Sequence, residues 1–363
     1  MDNLAHSLLG ATLAQAGLKR YSPLATATLV IGANLPDIDA LTTVLGSDAS
    51  LYYRRGLTHG VLAMVILPIL LAITMILYDR HVRRRRDPTK DPALFLPLLA
   101  LAYIGTLSHP VLDWLNTYGV RVLMPFDGRW FYGDTLFIVD PWFWLLMAAS
   151  VVFAHSHTKF SKRAWLFGTA LATTLVTFVP IVPLAAKIVW WLAVALIAYR
   201  RHKGVETTRV PLYARACLIA LCLYLAALFG TNALAKNGVH DHLASQNITP
   251  LEMMTSPLPA NPFARQVIVK TQTHYHAINV RWLQTPTHSP AYPPVPIEPP
   301  NAIVQRALDQ PQVRGFRNWM RYPTYEVRPR HNGGHRVYIR DLRYATPDAE
   351  PGRGIGIAIV DLD

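Results

Sequence analysis

Between residues 57 and 233 the chain runs through one long apolar stretch after another, and after residue 240 there are almost none. A bilayer span needs roughly 17 to 25 mainly apolar residues. Leu57–Tyr78, Leu94–Leu112, Leu136–Ala154, Ala164–Val182 and Leu212–Leu234 each qualify, and Pro183–Tyr199 is slightly shorter but apolar. Leu4–Leu18 and Pro23–Leu35 are short and rich in small residues, which suits tilted spans or re-entrant helices packed inside a bundle. Composition agrees. Of the 363 residues 52% are hydrophobic and 16% charged, against about 25% charged in an ordinary soluble domain.

The formal charge of +13 raises nucleic acid as a partner, but the placement of the charge argues for membrane lipids and against nucleic acid. The basic residues sit in short loops between apolar segments: Lys19 and Arg20; Arg80, Arg83–Arg86 and Lys90; Lys159, Lys162 and Arg163; Arg200, Arg201, Lys203 and Arg209. Such loops are cytoplasmic by the positive-inside rule, and the run Arg83–Arg86 suits anionic headgroups. Alternating the spans from these loops gives eight crossings and puts the C-terminal part outside. Arg54, Arg55, Arg121 and Arg129 are the main outer exceptions. Leu4–Leu18 contains His6 and Gln15 and lacks a basic leading region, so it does not read as a cleavable signal. Cys217 and Cys222 lie in an apolar segment without ligand company and read as small buried hydrophobes.

The same topology gathers His6, Asp37, Asp39, His59, His109 and Asp113 at the outer ends of helices. Ionisable groups in or near spans are costly and usually functional. His109 and Asp113 are spaced i, i+4, on one helix face, where they can clamp a divalent ion. Pro110 between them sits where a new helix can begin. Singly, each has a plainer reading: a hydrogen-bonded helix pair for His109 and Asp113, a capped polar turn for Pro36-Asp37-Ile38-Asp39, interfacial histidines for His6 and His59. Together, His6, Asp37, His59, His109 and Asp113 form a ligand set of imidazoles and carboxylates suited to zinc, one or two ions. Metal-assisted water activation follows from such a site. Asp39, Asp134 and Arg55 are the candidate catalytic groups. Arg54, Arg121 and Arg129 are the candidates for gripping a phosphate, whose oxygens a guanidinium matches. Asp140 before Pro141 reads as a helix N-cap, and the aromatics Trp130, Phe131, Tyr132, Trp142 and Trp144 as an interfacial belt.

His6 with Gly10, Pro36-Asp37-Ile38-Asp39, Arg55-Gly56-Leu57-Thr58-His59 and Ser108 through Gly119 (Ser-His-Pro-Val-Leu-Asp-Trp-Leu-Asn-Thr-Tyr-Gly) resemble the bacterial inner-membrane metal-dependent hydrolases of the YdjM-like family over roughly residues 1–200. The resemblance implies a multi-pass inner-membrane hydrolase. A looser likeness, in the order His, Asp, His, His-x-x-x-Asp, is to the zinc-dependent phospholipase C and P1-type nuclease pattern; the later His and Glu ligands of that pattern have no counterpart here.

After Ala235 proline becomes dense, from Pro250 to Pro262 and from Pro286 to Pro300. Arg265–Leu283 reads as β structure with His274 and His276 on one strand face. A helix is expected at Asn301–Leu308 and strands at Thr324–Val327, Arg336–Arg340 and Ile355–Leu362. His274, His276 and His288 read as surface or structural residues. The expected fold is an all-α polytopic membrane bundle of about six to eight transmembrane or re-entrant helices, with a small C-terminal α+β soluble domain. The expected boundaries are a membrane-embedded hydrolase domain over 1–238 and an extracytoplasmic domain over 239–363. The expected activity is hydrolysis of a phosphoester at the outer face, with a lipid as one candidate substrate. A metal or small-solute transporter, or a non-catalytic scaffold, are the alternatives.

Overall fold

The computed structural model describes residues 1–331, 333–349 and 355–363. Two compact units emerge. The first comprises Met1–Ile38, Arg55–Phe229 and Leu258–Asn261; the second comprises Asp39–Arg54, Gly230–Pro257 and Pro262–Asp363.

The helices in chain order are α1 (Asn3–Gln15), α2 (Ala25–Asn34), α3 (Ser47–Tyr53), α4 (Val61–Tyr78), α5 (Arg84–Arg86), α6 (Phe95–Trp114), α7 (Pro141–His155), α8 (Lys159–Phe178), α9 (Leu184–Lys203) and α10 (Val210–Ala244). A 3-10 stretch, Leu35–Leu45, continues α2, and a 3-10 turn, Leu57–His59, precedes α4. Among the described residues, four helical segments are long and apolar enough to cross a membrane: Ala25–Leu45, Val61–Arg86, Phe95–Trp114 and Thr207–Ala244. The apolar stretches expected at 164–182 and 183–199 are helical, but charges within the same helices shorten them: Lys159, Lys162 and Arg163 in α8, and Lys187, Arg200 and Arg201 in α9. The stretch expected at 136–154 is α7, a shorter apolar helix of 15 residues. Length and composition thus support four spans among the described residues.

In the first unit, α2 packs on α1 and α6, α4 packs on α6, and α1 packs on α7. Small residues make the closest approaches. A Cβ on Gly10 would lie 2.7 Å from the Leu29 carbonyl oxygen, and one on Gly105 would lie 2.8 Å from the same atom. Apolar side chains gain little from meeting each other in lipid, so close backbone packing and polar contacts must hold such helices together. Pro110 does not open a new helix. It lies inside continuous α6, where its missing N–H removes only the bond to the Thr106 carbonyl one turn earlier.

Asp140 caps α7, its carboxylate accepting from Phe143 N at 2.9 Å with Pro141 at the first helical position. Its other oxygen accepts from the Tyr224 hydroxyl at 2.9 Å, which ties α7 to α10. Losing a cap of this kind costs about 0.5–2 kcal/mol. Asp140→Ala is therefore expected to lower the melting temperature of the detergent-purified protein. An unchanged melting curve would show that the cap contributes nothing.

The second unit holds β1 (Glu252–Leu258), β2 (Asn261–Lys270), β3 (His274–Arg281), β4 (His288–Pro290) and β5 (Val295–Pro296), followed by α11 (Ala302–Leu308), α12 (Arg314–Trp319), β6 (Pro323–Pro329), β7 (His335–Asp341) and β8 (Ile357–Leu362). The first sheet has the order β1-β2-β3-β4 with β5 also on β3; the second has the order β6-β7-β8. The β2–β3 register sets Val267 opposite Ile278 and Val269 opposite His276. Strand side chains alternate between faces. Val267, Val269, Ile278 and Val280 therefore pack with Val239 and Leu243 of α10, while Ile268, Tyr275 and Ala277 pack with Met254, Tyr322 and Leu342. The first sheet is buried on both faces, consistent with its dense aliphatic run. Asn301 caps α11 through Ile303 N and Val304 N, at the end of the helix where the sequence placed it.

Candidate metal centre

Asp37 follows α2 in the 3-10 stretch, His59 ends the turn before α4, and His109 and Asp113 stand one turn apart near the end of α6. The packing of α2 and α4 against α6 brings the four together. One ligand atom from each lies within 4.8 Å of all the others. His59, His109 and Asp113 are fully buried and Asp37 is 6% exposed.

His109 Nδ1 lies 2.6 Å from the Ala33 carbonyl oxygen. A carbonyl can only accept, so Nδ1 carries the proton and the Nε2 lone pair points inward. That Nε2 is 3.1 Å from His59 Nε2, 3.6 Å from Asp37 Oδ1 and 3.4 Å from Asp113 Oδ2. His59 Nε2 is 3.3 Å from Asp113 Oδ2, and its Nδ1 meets Thr58 Oγ1 at 3.0 Å. A backbone or side-chain partner on the far ring nitrogen is the usual support of a metal-ligating histidine. Two imidazole nitrogens and two carboxylate oxygens meeting in one buried cluster are donor types that divalent metals take. The donor set therefore fits a divalent cation, and Asp37, His59, His109 and Asp113 can hold one.

His6 of α1 lies directly beside this quartet. Its ring stacks on that of His109 at 3.7 Å, its Nε2 is 3.3 Å from Asp113 Oδ1, and its buried Nδ1 makes no hydrogen bond. Sequence reading missed the attachments of Asp113. Arg55 Nε lies 2.9 Å from Asp113 Oδ2, and its Nη1 donates to Asn116 Oδ1 at 3.0 Å and to the Gly119 carbonyl at 3.1 Å. The same guanidinium sits 4.6 Å over the Tyr118 ring. The terminal ammonium of Met1 also contacts Asp113 Oδ1. Asn116 is fully buried and its Oδ1 accepts from Tyr118 N as well. Its only sequence signal was a place three residues after Asp113, inside a motif rich in polar and aromatic residues.

The other candidates take the following places. Asp134, buried and at φ 50°, lies in a segment that binds the end of α6: Gly133 N donates to the Trp114 carbonyl at 2.6 Å, and Thr135 N to the Leu115 carbonyl at 2.8 Å. Arg121 is buried, with its guanidinium 4.8 Å over Trp130 and its backbone N–H on the Arg55 carbonyl. Arg129 is exposed and pairs with Asp127. Asp39 and Arg54 belong to the second unit, where Arg54 Nε lies 3.7 Å from Asp39 Oδ1.

The sequence model of the YdjM inner membrane protein family matches residues 1–233. The chain belongs to the YdjM inner membrane protein family. Neither a curated protein nor a solved structure matches it. The family match spans α1 through most of α10 and so includes every residue of the buried quartet, together with His6 and Arg55. The strands, α11 and α12 lie beyond it. As a YdjM-family protein, the chain carries its apolar helices and its metal-type cluster in the same matched region.

Proposed function

We propose that this YdjM-family chain is a metal-dependent hydrolase of the inner membrane that cleaves a phosphoester, with a lipid as the substrate class its setting favours. The observation that carries the reading is the buried quartet Asp37, His59, His109 and Asp113. These four would hold zinc as one ion, and His6, against both His109 and Asp113, would be the added ligand if a second ion bound. Such an ion supplies Lewis acidity and lowers the pKa of water toward about 7.

The protein's own groups divide the remaining work. Arg55 fixes the orientation of Asp113, and the Ala33 carbonyl fixes that of His109. Asp39 and Asp134 are the proposed proton carriers, and Arg54, Arg121 and Arg129 the proposed phosphate contacts. Residues 1–238 form the membrane-embedded part in this reading, and residues 239–363 an extracytoplasmic domain.

The test is hydrolysis of a phosphoester panel that includes phospholipids, by purified full-length protein in detergent and in liposomes. Turnover is expected to disappear with chelator, to return with one divalent ion, and to be absent in His59→Ala. Hydrolysis indifferent to both chelator and His59→Ala would sink the proposal. Ion accumulation in vesicles without hydrolysis would do so too, in favour of a transporter.

A further inference from the structure

The segment Asp39–Arg54 belongs to the second compact unit, although its chain neighbours Ile38 and Arg55 belong to the first. One end of this strap is two residues from Asp37; the other leads at once into Arg55 and then His59. The strap lies inside the family match, while the helix that holds it, α12, lies beyond residue 233.

The hold is specific. Asp48 in α3 accepts from Gly315 N through Oδ2 and from Phe316 N through Oδ1, both at 2.9 Å. These are N–H groups at the start of α12, which have no partner within their own helix. Glycine is required at 315 for contact this close: a Cβ there would lie 2.0 Å from the Asp48 carbonyl oxygen and 2.8 Å from Tyr52 N. Arg314 lies 4.5 Å over the Tyr52 ring and donates to its hydroxyl at 2.9 Å. At the base of the strap, Arg54 meets Asp39 at 3.7 Å. Directly after it, Arg55 sits at φ 52°, a left-handed conformation unusual for arginine, with its carbonyl bonded to Arg121 N at 2.9 Å.

We propose that the C-terminal domain positions the metal centre through this strap, with Asp48 and Gly315 as positioning residues. The idea rests on the metal-site reading above. Asp37 and His59 approach the ion from the two ends of one loop, and closing a flexible loop costs entropy. A strap already held by α12 arrives with much of that cost removed, so the ion binds more tightly. Linkage makes the effect reciprocal: bound ion must steady the α3–α12 contact.

The experiment titrates full-length protein in detergent with Zn2+ against a chromophoric chelator, for wild type, Asp48→Ala, Asp48→Asn, Gly315→Val and Asp113→Ala. Asp48→Ala and Gly315→Val are expected to weaken zinc binding by about tenfold or more, with stoichiometry unchanged. Asp48→Asn, which keeps one acceptor oxygen, should fall between Asp48→Ala and wild type. Zinc should also slow hydrogen exchange at the Gly315 and Phe316 amides in wild type and not in Asp113→Ala. If Gly315→Val fails to fold, the two Asp48 variants and the exchange measurement decide the matter. Wild-type affinity in Asp48→Ala, with zinc lost in Asp113→Ala, would overturn the positioning role and leave the metal site standing. Equal zinc uptake by wild type and Asp113→Ala would remove the metal site and the positioning role together.

Discussion

Asp113→Ala is expected to abolish divalent-metal binding by the purified protein and to weaken its fold. Removing a partner that merely supports a ligand already costs about 10- to 100-fold in metal affinity, and loss of a ligand itself should exceed that. Asp113 contacts or approaches His6, His59, His109 and Arg55 together, whereas Asp37 approaches His59 and His109. The structural cost comes from Arg55. With Asp113 gone, a guanidinium in a residue 2% exposed is left with hydrogen bonds to Asn116 and Gly119 but without that countercharge. Breaking a buried ion pair from one side costs about 3–5 kcal/mol. Asp113→Asn separates the two effects. It preserves volume and an acceptor for Arg55, and should keep more of the thermal stability while still binding metal poorly. Metal analysis and melting curves of the three proteins check both parts. Wild-type metal content in Asp113→Ala would remove this residue from the ligand set.

Gly105→Val is expected to have the next largest effect, although residue 105 touches no metal. The crossing of α2 and α6 is reciprocal: a Cβ on Gly105 meets the Leu29 carbonyl at 2.8 Å and Ala33 N at 3.3 Å, while one on Gly32 meets Thr106 N at 3.2 Å and the Ala102 carbonyl at 3.3 Å. Both sets of obstacles include backbone atoms, which cannot swing aside as a side-chain end can. A valine must push the helices apart, and overpacking of this kind costs about 1–3 kcal/mol or more. The displacement also reaches the site. Ala33 supplies the carbonyl that holds His109 Nδ1, one turn further along α6. Metal affinity should therefore fall about 10- to 100-fold, the range for an outer-shell partner. Val111→Leu on the same helix, at a position 58% exposed, is the control and should change neither melting nor metal binding. Comparable losses in both variants would mean that the helix crossing is not what sets His109.

Much of this was legible without coordinates. The i, i+4 pair His109 and Asp113 must share a helix face whatever surrounds it, and the β-branched runs near Val267 and Val337 report strands through local alternation. Pro110 was misleading because proline is tolerated both at a helix start and inside a helix whose lost bond the surroundings can absorb. The helices at Lys159–Phe178 and Leu184–Lys203 carry apolar stretches as expected, but charges within them keep them short of a full span by length and composition. Arg55 was placed among catalytic groups by its motif, and nothing local announced that its guanidinium would meet Asp113.

By itself the sequence determined the apolar helices, the basic loops between them, the pairing of His109 with Asp113 on one helix face, and the strands of the C-terminal part. These depend on residue types a few positions apart and on transfer from water to lipid, both of which are properties of the local chain. The sequence grouped Asp37 and His59 with that pair; only the tertiary structure decided that their ligand atoms meet within 4.8 Å, that Arg55 pairs with Asp113, and that Asp39–Arg54 packs with the C-terminal unit. Those outcomes depend on how closely helices approach at Gly10, Gly32 and Gly105, and on which distant backbone N–H groups Asp48 can reach. Distances of that kind come from packing across the chain and have no local signature.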